Sequence, residues 1–186
     1  MSEKQKMLNG EIYNAYDESL ILLRNKARHL TKSYNTTDPE ETEKRINILE
    51  KLFGKIGKNF EIEPPFYCDY GTNIEIGENF YANFNCLVLD DGLVKIGNDV
   101  LFAPNVSIFT ATHLVDPDLR PKNADYTKAV TIGNNVWIGG GSIINPGITI
   151  GDNSVIGSGS VVTKNIPANV VAVGNPCKIL KYIDEK

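Results

Sequence analysis

The sequence predicts an all-β solenoid, a parallel β-helix, preceded by an N-terminal helical segment. Two patterns support the solenoid: an aliphatic residue recurs every six positions over long stretches, and in the clearest stretch, residues 132–162, glycine follows most of these residues. A six-residue period fits a coil of short strands joined by tight turns, in which each strand points one aliphatic side chain inward. The period alone leaves the handedness of the coil open. The first 57 residues lack this pattern and indicate helix instead.

The first predicted element is a helical segment over residues 1–57. Glycine is scarce in this segment, charge is dense, and apolar residues such as Leu20, Leu23 and Ala27 recur at helical spacing. Two helices are predicted in this segment. Gly57 is expected to end the second one, because glycine is favoured just beyond a helix C-terminus. A helical segment laid against one end of a β-helix would cover its exposed strand edges.

The β-helix is predicted over residues 58–186. Its clearest inward aliphatics are Ile132, Ile138, Ile144, Ile150, Ile156 and Val162. The same spacing occurs earlier at Ile76, Ala82 and Val88, and again at Ile96, Phe102 and Ile108. Roughly five coils at a strand spacing of ~4.8 Å would form a column of about 25 Å. A β-sandwich is the alternative, and the uninterrupted series of six-residue units (hexads) disfavours it. The segment NPCKILKYI after the last strand predicts a short C-terminal cap.

Composition narrows the class of protein. The chain has 186 residues and a formal net charge of −4, with acidic and basic residues well mixed, which argues against a nucleic-acid surface. No apolar run is long enough to span a membrane, and the N-terminus lacks the apolar core of a signal peptide. Cys68, Cys86 and Cys177 show neither disulfide nor zinc spacing. We therefore expect a cytoplasmic protein with inert thiols.

The hexads fail at one place, between Ile108 and Val130, where a polar segment predicts a protruding loop at about 112–129. Repeat proteins often carry binding residues on such insertions. His113 lies at the root of this loop and is one of only two histidines, the other being His29 on a predicted helix. Because a free imidazole has a pKa of ~6.5, His113 is a candidate general base at neutral pH.

Polar and aromatic residues at three other positions are further candidates. YANFN places Tyr81 and Asn83 on an earlier coil, and Asp90 with Asp91 precede a glycine, where a simple turn is the alternative explanation. Trp137 is the sole tryptophan and occupies an outward hexad position. An exposed tryptophan is typical of a surface that contacts a ligand, a loop or a partner subunit.

Several segments together resemble one known family. They are YANFN, ATH, ITIGNNVWIGG, INPGITIGDNSVIGSGSVVTK and VGNPCK, with GEIYNAYDESL and RNKARHL near the N-terminus. They are similar to segments of the maltose and galactoside O-acetyltransferases, which are hexapeptide-repeat acyltransferases, and the N-terminal part resembles the maltose type in particular. This resemblance implies a left-handed β-helix that forms homotrimers with active sites between subunits. It also implies acetyl transfer from acetyl-coenzyme A to a sugar hydroxyl.

The resemblance assigns roles to particular residues. His113 matches the catalytic histidine, and Asp125 resembles an acidic residue that some members carry near it. The residues that match the sugar site are Asp17, Asp69, Tyr81, Asn83 and Asp91. The residues that match the coenzyme groove are Trp137, Gly140, Ser158, Thr163, Lys164, Lys178 and Lys181. Galactoside enzymes carry an acidic side chain where this chain has Ala15, so the resemblance favours a maltose-like or glucose-like acceptor.

These groups predict direct acetyl transfer in a ternary complex. His113 would accept the proton of the attacking hydroxyl, and its other ring nitrogen should donate to a carbonyl or to Asp125. A backbone donor or Asn83 would meet the developing oxyanion. No metal is expected, because a zinc site of the β-helix hydratase type would need three histidines. Two alternatives stay open: another small polar acceptor, such as an amino sugar, an antibiotic or serine, and a catalytically inactive β-helix scaffold.

Overall fold

The computed structural model describes residues 1–117, 120 and 124–183, which include most of the predicted loop. Its N-terminal part contains three helices and one short strand, numbered like all elements in chain order. They are α1 (Glu3–Leu8), β1 (Tyr13–Asn14), α2 (Glu18–Asn35) and α3 (Thr42–Leu52). Each helix has an acidic residue in its first turn and a basic residue in its last, which complements the helix dipole.

The predicted solenoid is confirmed, with three parallel sheets forming three faces. The first face contains β2 (Lys55–Ile56), β5 (Ile74–Ile76), β8 (Val94–Ile96), β13 (Val130–Ile132) and β16 (Thr149–Ile150). The second contains β3 (Glu61–Ile62), β6 (Tyr81–Ala82), β9 (Leu101–Phe102), β14 (Trp137–Ile138), β17 (Val155–Ile156) and β19 (Val170–Val173). The third contains β4 (Phe66–Cys68), β7 (Cys86–Leu89), β10 (Ser107–Phe109), β15 (Ile143–Ile144) and β18 (Val161–Val162). Across the described chain this makes five complete coils, and a sixth begins with Ile166, which bridges to Ile150 on the first face, and continues with β19.

Successive hexads fall on successive faces, which explains the six-residue period. Ile132, Ile138 and Ile144 are buried on the first, second and third face. Ile132 then pairs with Ile150 of the next coil, Ile138 with Ile156, and Ile144 with Val162. Each inward side chain therefore stacks on its equivalent one coil away, and these contacts form one continuous core.

Three corners join the faces, and we number them by the face that each one follows. The first corner carries asparagine in the left-handed conformation, for example Asn135, Asn153 and Asn169 with φ of 53°, 59° and 59°. Asparagine tolerates this conformation better than most residues. The side-chain amide of Asn135 donates to Asn153 at 3.0 Å, and that of Asn153 donates to Asn169 at 2.8 Å. The corner is therefore held by a ladder of side-chain hydrogen bonds.

Gly57 corrects one detail of the sequence prediction. The helix that Gly57 was expected to end is α3 of the structure. It ends at Leu52, so that expectation is wrong. Gly57 follows β2 at the first corner, where an added Cβ would lie 2.5 Å from the carbonyl oxygen of Gly77. The glycine is required there because the backbones of neighbouring coils approach closely.

Residues outside the coils contact strands at both ends of the solenoid. At the N-terminal end, the Asn35 side chain donates to the carbonyl of Phe66 and accepts from its N–H, both at 2.9 Å. The Asn35 amide thus satisfies backbone groups of the edge strand β4 that a neighbouring strand would otherwise satisfy. At the C-terminal end, β20 (Lys178–Tyr182) pairs antiparallel with β19.

The segment between β10 and β13 forms a small separate sheet. It contains β11 (Ala111–Thr112) and β12 (Ala124–Thr127), and the sheet order is β1-β12-β11. Residues 118–119 and 121–123 of the predicted loop lie outside the described residues. The N-terminal segment therefore supplies one edge strand to the sheet that carries the predicted catalytic residues.

Candidate active site

His113 and Asp125 are in direct contact. His113 follows β11, Asp125 lies on β12, and the antiparallel pairing of these strands brings the two side chains together. The imidazole Nδ1 lies 2.6 Å from Asp125 Oδ1. With the proton of a neutral imidazole on Nδ1 and donated to Asp125, Nε2 keeps a lone pair that can accept a proton. The histidine side chain is 65% exposed, which is compatible with access by a substrate.

The N-terminal segment holds the strand that carries Asp125. Tyr13 of β1 is opposite Asp125 in the antiparallel pair β1–β12. Two residues further along β12, the hydroxyl of Thr127 donates to the carbonyl of Met7 at 2.6 Å. Strand β12 thus has β11 on one side and β1 on the other, so its position depends on both neighbours.

A cleft of about 440 Å³ lies beside this pair. Its lining includes Asp69 and Asp91 from the solenoid, Asp125 from β12, and Ala15, Arg24 and Arg28 from the N-terminal segment. Arg24 is held firmly: its guanidinium donates to the Tyr70 hydroxyl and to the Ala15 carbonyl, both at 2.6 Å. The cleft therefore combines charges of both signs with hydrogen-bond acceptors, as a small polar ligand requires.

Three carboxyl groups cluster at the third corner beside the cleft. Asp90 is fully buried and accepts from the backbone N–H groups of Asp69 at 3.0 Å and Tyr70 at 2.8 Å. Burial raises the pKa of Asp90 to about 6, and these N–H bonds oppose the rise. Asp90 thus shapes the turn that presents Asp69. Burial, followed by the charge and hydrogen bond of Asp91, raises the pKa of Asp69 to about 7.

The other residues predicted for the sugar site are placed elsewhere. Asp17 is the N-cap of α2, where its carboxylate accepts from the Ser19 N–H at 3.0 Å. Tyr81 faces outward from the second face, between Glu61 and Leu101. Asn83 lies at the second corner, where its side-chain oxygen accepts from the N–H of Phe84 at 2.7 Å. The fold therefore brings Asp69 and Asp91 beside Asp125 but leaves Tyr81 and Asn83 on another part of the surface.

The predicted coenzyme residues divide in the same way. Trp137 is 52% exposed on the second face, and Gly140 and Ser158 follow at the second corner on adjacent coils. Lys178 and Lys181 lie on β20 along the same face. Thr163 and Lys164, in contrast, follow β18 at the third corner, the same corner as His113. The two groups are separated by the width of the third face.

Several residues that line the cleft or contact its lining were not among the sequence predictions. Tyr13 donates its hydroxyl proton to Asp91 Oδ1 at 3.0 Å, and Arg24 and Arg28 reach the cleft from α2. A two-residue strand and two arginines on an amphipathic helix give no distinctive pattern in a sequence. Among the described residues, no group of three or more histidine, cysteine, aspartate or glutamate side chains is arranged to hold a metal ion, and no helix is long and apolar enough to cross a membrane.

Comparisons with known proteins match this architecture. The maltose acetyltransferase hexapeptide capping motif matches residues 6–57, and the bacterial transferase hexapeptide, with six repeats, matches residues 129–164. These matches coincide with the helical segment and with the most regular coils.

Similarity to individual proteins covers nearly the whole chain. The crystal structure of a maltose O-acetyltransferase from Clostridium difficile 630 is 55% identical, with a TM-score of 0.98 over 100% of this chain and 99% of the other. A galactoside acetyltransferase in complex with coenzyme A is 46% identical, with a TM-score of 0.95 over 99% and 92%. The galactoside O-acetyltransferase of Escherichia coli K12 is 46% identical over 100% of this chain and 92% of its own. The chain therefore belongs to the maltose and galactoside O-acetyltransferase family of hexapeptide-repeat acyltransferases.

Proposed function

We propose that the protein transfers the acetyl group of acetyl-coenzyme A to a hydroxyl of a maltose-like or glucose-like mono- or disaccharide. The main support is the contact of 2.6 Å between His113 and Asp125 beside a cleft lined with carboxyl groups. The similar galactoside acetyltransferase binds coenzyme A, which supports the choice of donor. The polar lining of the cleft suits an acceptor that has several hydroxyl groups.

The proposed reaction is a direct transfer with His113 as general base. The sugar oxygen attacks the thioester carbonyl carbon while its proton passes to Nε2 of His113. The C–S bond then breaks, and the departing thiolate recovers a proton from the imidazolium. Asp125 keeps the imidazole in the required tautomer and stabilises its positive charge. The three cysteine thiols are buried, which favours direct transfer over an acetyl-cysteine intermediate.

We further propose that the active site is completed in a homotrimer. Within one subunit, His113 and Lys164 lie at the third corner, whereas Asn83, Gly140 and Ser158 lie at the second. A neighbouring subunit that places its second corner against this third corner would bring both sets together. Asn83 would then reach the reacting carbonyl and serve as an oxyanion donor.

The outward side chains of the faces support such an assembly. The first face carries Lys55, Glu75, Lys95, Thr131 and Thr149, which are suited to water. Outward positions of the second face include Tyr81, Leu101, Trp137, Val155 and Val171. Those of the third are Tyr67, Leu87, Ser107, Ile143 and Val161. Two mainly apolar faces and one polar face fit a subunit that buries two of its sides.

A panel of acceptors tests the proposed function. Purified protein with acetyl-coenzyme A is assayed for release of free thiol with mono- and disaccharides, amino sugars and serine. We expect turnover to be highest with glucose- or maltose-like sugars. Preferred turnover of an amine would contradict the proposed acceptor, and failure to bind any acyl-coenzyme A would support an inactive scaffold.

A cytoplasmic location remains a prediction, supported by the three unpaired cysteines.

A further inference from the structure

A buried threonine joins strand β12 to the first helix. Thr127 lies two residues after Asp125, and its hydroxyl donates to the carbonyl of Met7 at 2.6 Å. Both Thr127 and Met7 are buried. The last four carbonyls of an α-helix have no partner within the helix, and Met7 is the next-to-last residue of α1. Thr127 therefore supplies a hydrogen bond that this helix end needs, alongside the N–H of Gly10 at 3.2 Å.

The backbone of Thr127 contacts the same end of α1. Gly10 follows the helix with φ of 73°, and a Cβ added to it would lie 3.0 Å from the carbonyl oxygen of Thr127. The side chain of Met7 anchors this helix end, because it is buried in a small core with Tyr13 and Leu20. The hydroxyl and the carbonyl of Thr127 therefore both meet a fixed part of the N-terminal segment.

The side chain of Thr127 also packs against the turn that follows Asp91. A Cβ added to Gly92 would lie 3.1 Å from both Cβ and Oγ1 of Thr127. The Gly92 N–H in turn donates to the hydroxyl of Thr110, the residue before β11, at 2.7 Å. Thr127 is thus enclosed between α1 and the third corner of the preceding coil.

We propose that Thr127 is a positioning residue: its hydrogen bond to Met7 holds β12 so that Asp125 keeps the proton of His113 on Nδ1. Thr127 acts through Asp125 and is assigned no contact with either substrate. The inference deepens the proposed function, because it makes the first helix part of the structure that prepares the base. It rests on that function only for the reaction that His113 serves.

The alternation of side chains along a strand links Thr127 to Asp125. Residues two apart on a strand point to the same face, so a shift or rotation of β12 at Thr127 also moves the carboxylate of Asp125. The partner of one ring nitrogen determines which tautomer a neutral imidazole adopts. If Asp125 moves away from its contact of 2.6 Å with Nδ1, the ring of His113 divides between both tautomers. The tautomer that has its proton on Nε2 cannot accept a proton there.

The first test measures the tautomer of His113 without any substrate. NMR of protein with nitrogen-15 in its histidines distinguishes the two ring nitrogens, at about pH 8.5, where an ordinary imidazole is neutral. All variants carry His29→Ala, which removes the signal of the other histidine. Thr127→Val keeps the branched shape without the hydroxyl, and it should lower the Nδ1–H fraction from most of the population to about half or less. Thr127→Ser keeps the hydroxyl and should preserve that fraction.

Ser154→Ala is the matched control for this test. Ser154 is also buried and its hydroxyl donates to the carbonyl of Pro167 at 2.8 Å, but it lies at the first corner. This variant loses a buried hydrogen bond and should leave the tautomer unchanged. A tautomer change in Ser154→Ala equal to that in Thr127→Val would assign the effect to lost stability and would overturn the proposal.

Gly10→Ala provides a second variant, because it disturbs the same contact from the side of α1. It should change the tautomer of His113 in the same direction as Thr127→Val. An unchanged tautomer in folded Thr127→Val would overturn the proposal, whether or not the protein acetylates sugars. Where the valine variant does not fold, an unchanged tautomer in Gly10→Ala would overturn it.

The second test measures turnover with an acceptor from the panel. Thr127→Val should lower kcat about tenfold and leave the KM for acetyl-coenzyme A unchanged, because a misplaced base slows the reaction without weakening coenzyme binding. Thr127→Ser should stay within about twofold of the wild type. Equal losses of kcat in the valine and serine variants would overturn the role of the hydrogen bond. A changed tautomer in a protein that acetylates no sugar would instead contradict the proposed function alone.

Discussion

At the scale of single residues, the imidazole of His113 depends on one contact for its proposed role. In the proposed tautomer, Nδ1–H donates a hydrogen bond to Asp125, which leaves Nε2 free to act as the base. The sequence predicted His113 as a candidate, because a histidine at the root of a break in a regular repeat is a distinctive feature, and the family resemblance suggested Asp125; the contact between the two side chains is what the structure adds. The amino-acid sequence contains no indication of Tyr13 or Arg24, whose positions depend on how the N-terminal segment folds over the third corner.

His113→Ala should lower kcat by about 10²–10⁴, because general-base catalysis contributes that much to the rate. Binding of acetyl-coenzyme A, measured by calorimetry, and the oligomeric state should stay unchanged. His29→Ala is the matched control, since His29 is the other histidine and lies exposed on α2. Wild-type turnover by His113→Ala would show that another group removes the proton.

Lys164→Ala should raise the KM for acetyl-coenzyme A with little change in kcat. The exposed ammonium of Lys164 is proposed to bind the coenzyme and takes no part in the proton transfer. Lys95→Ala, on the polar first face, serves as the control for loss of a positive charge. If both variants had the same KM, Lys164 would have no place in the coenzyme groove.

At the scale of elements, the hexads were predictable because each one specifies a strand, an inward side chain and a turn. The six-residue spacing of the inward isoleucines therefore gave the coils and their phase directly. Strand β1 could not be predicted in this way. Tyr13 and Asn14 alone have no periodicity, and their pairing with β12 is set by tertiary contacts. Gly57 was misread because a glycine that ends a helix and one that allows two coils to approach look alike in a sequence.

The asparagine ladder at the first corner makes a measurable contribution to stability. Asn153→Ala should lower the melting temperature, because it forces alanine into a left-handed conformation at a cost of about 1–2 kcal/mol and removes two side-chain hydrogen bonds. Asn153→Gly loses the same two bonds without the conformational strain. The alanine variant should therefore melt first, and equal melting temperatures would show that the conformation of this residue costs little.

At the scale of the whole molecule, the residues of the candidate site are divided between two corners of the solenoid. The family resemblance implies that both groups of residues belong to one site, whereas within one chain the third face separates them. No pattern in the sequence of one chain reports which corners meet between chains. The contrast between the polar first face and the two mainly apolar faces does give an indication, once the strands are assigned to faces.

Charged substitutions on the faces test the proposed trimer. Leu101→Lys on the second face or Ile143→Lys on the third should lower the trimer fraction in sedimentation velocity and reduce acetyl transfer with it. Burial of an unpaired ammonium in an interface is costly. Thr131→Lys on the first face should leave assembly and turnover unchanged. Dissociation caused by the Thr131 variant alone would assign the interface to the wrong faces.

The bond between Thr127 and Met7 joins residues that are 120 positions apart. Coils of the solenoid form between segments that are near each other along the chain, so they can assemble progressively. The small sheet β1-β12-β11, in contrast, forms only when β1 near the N-terminus pairs with β12 far along the chain. Contacts between segments so distant in sequence form slowly. During refolding, the solenoid strands would therefore form before the protein regains its activity.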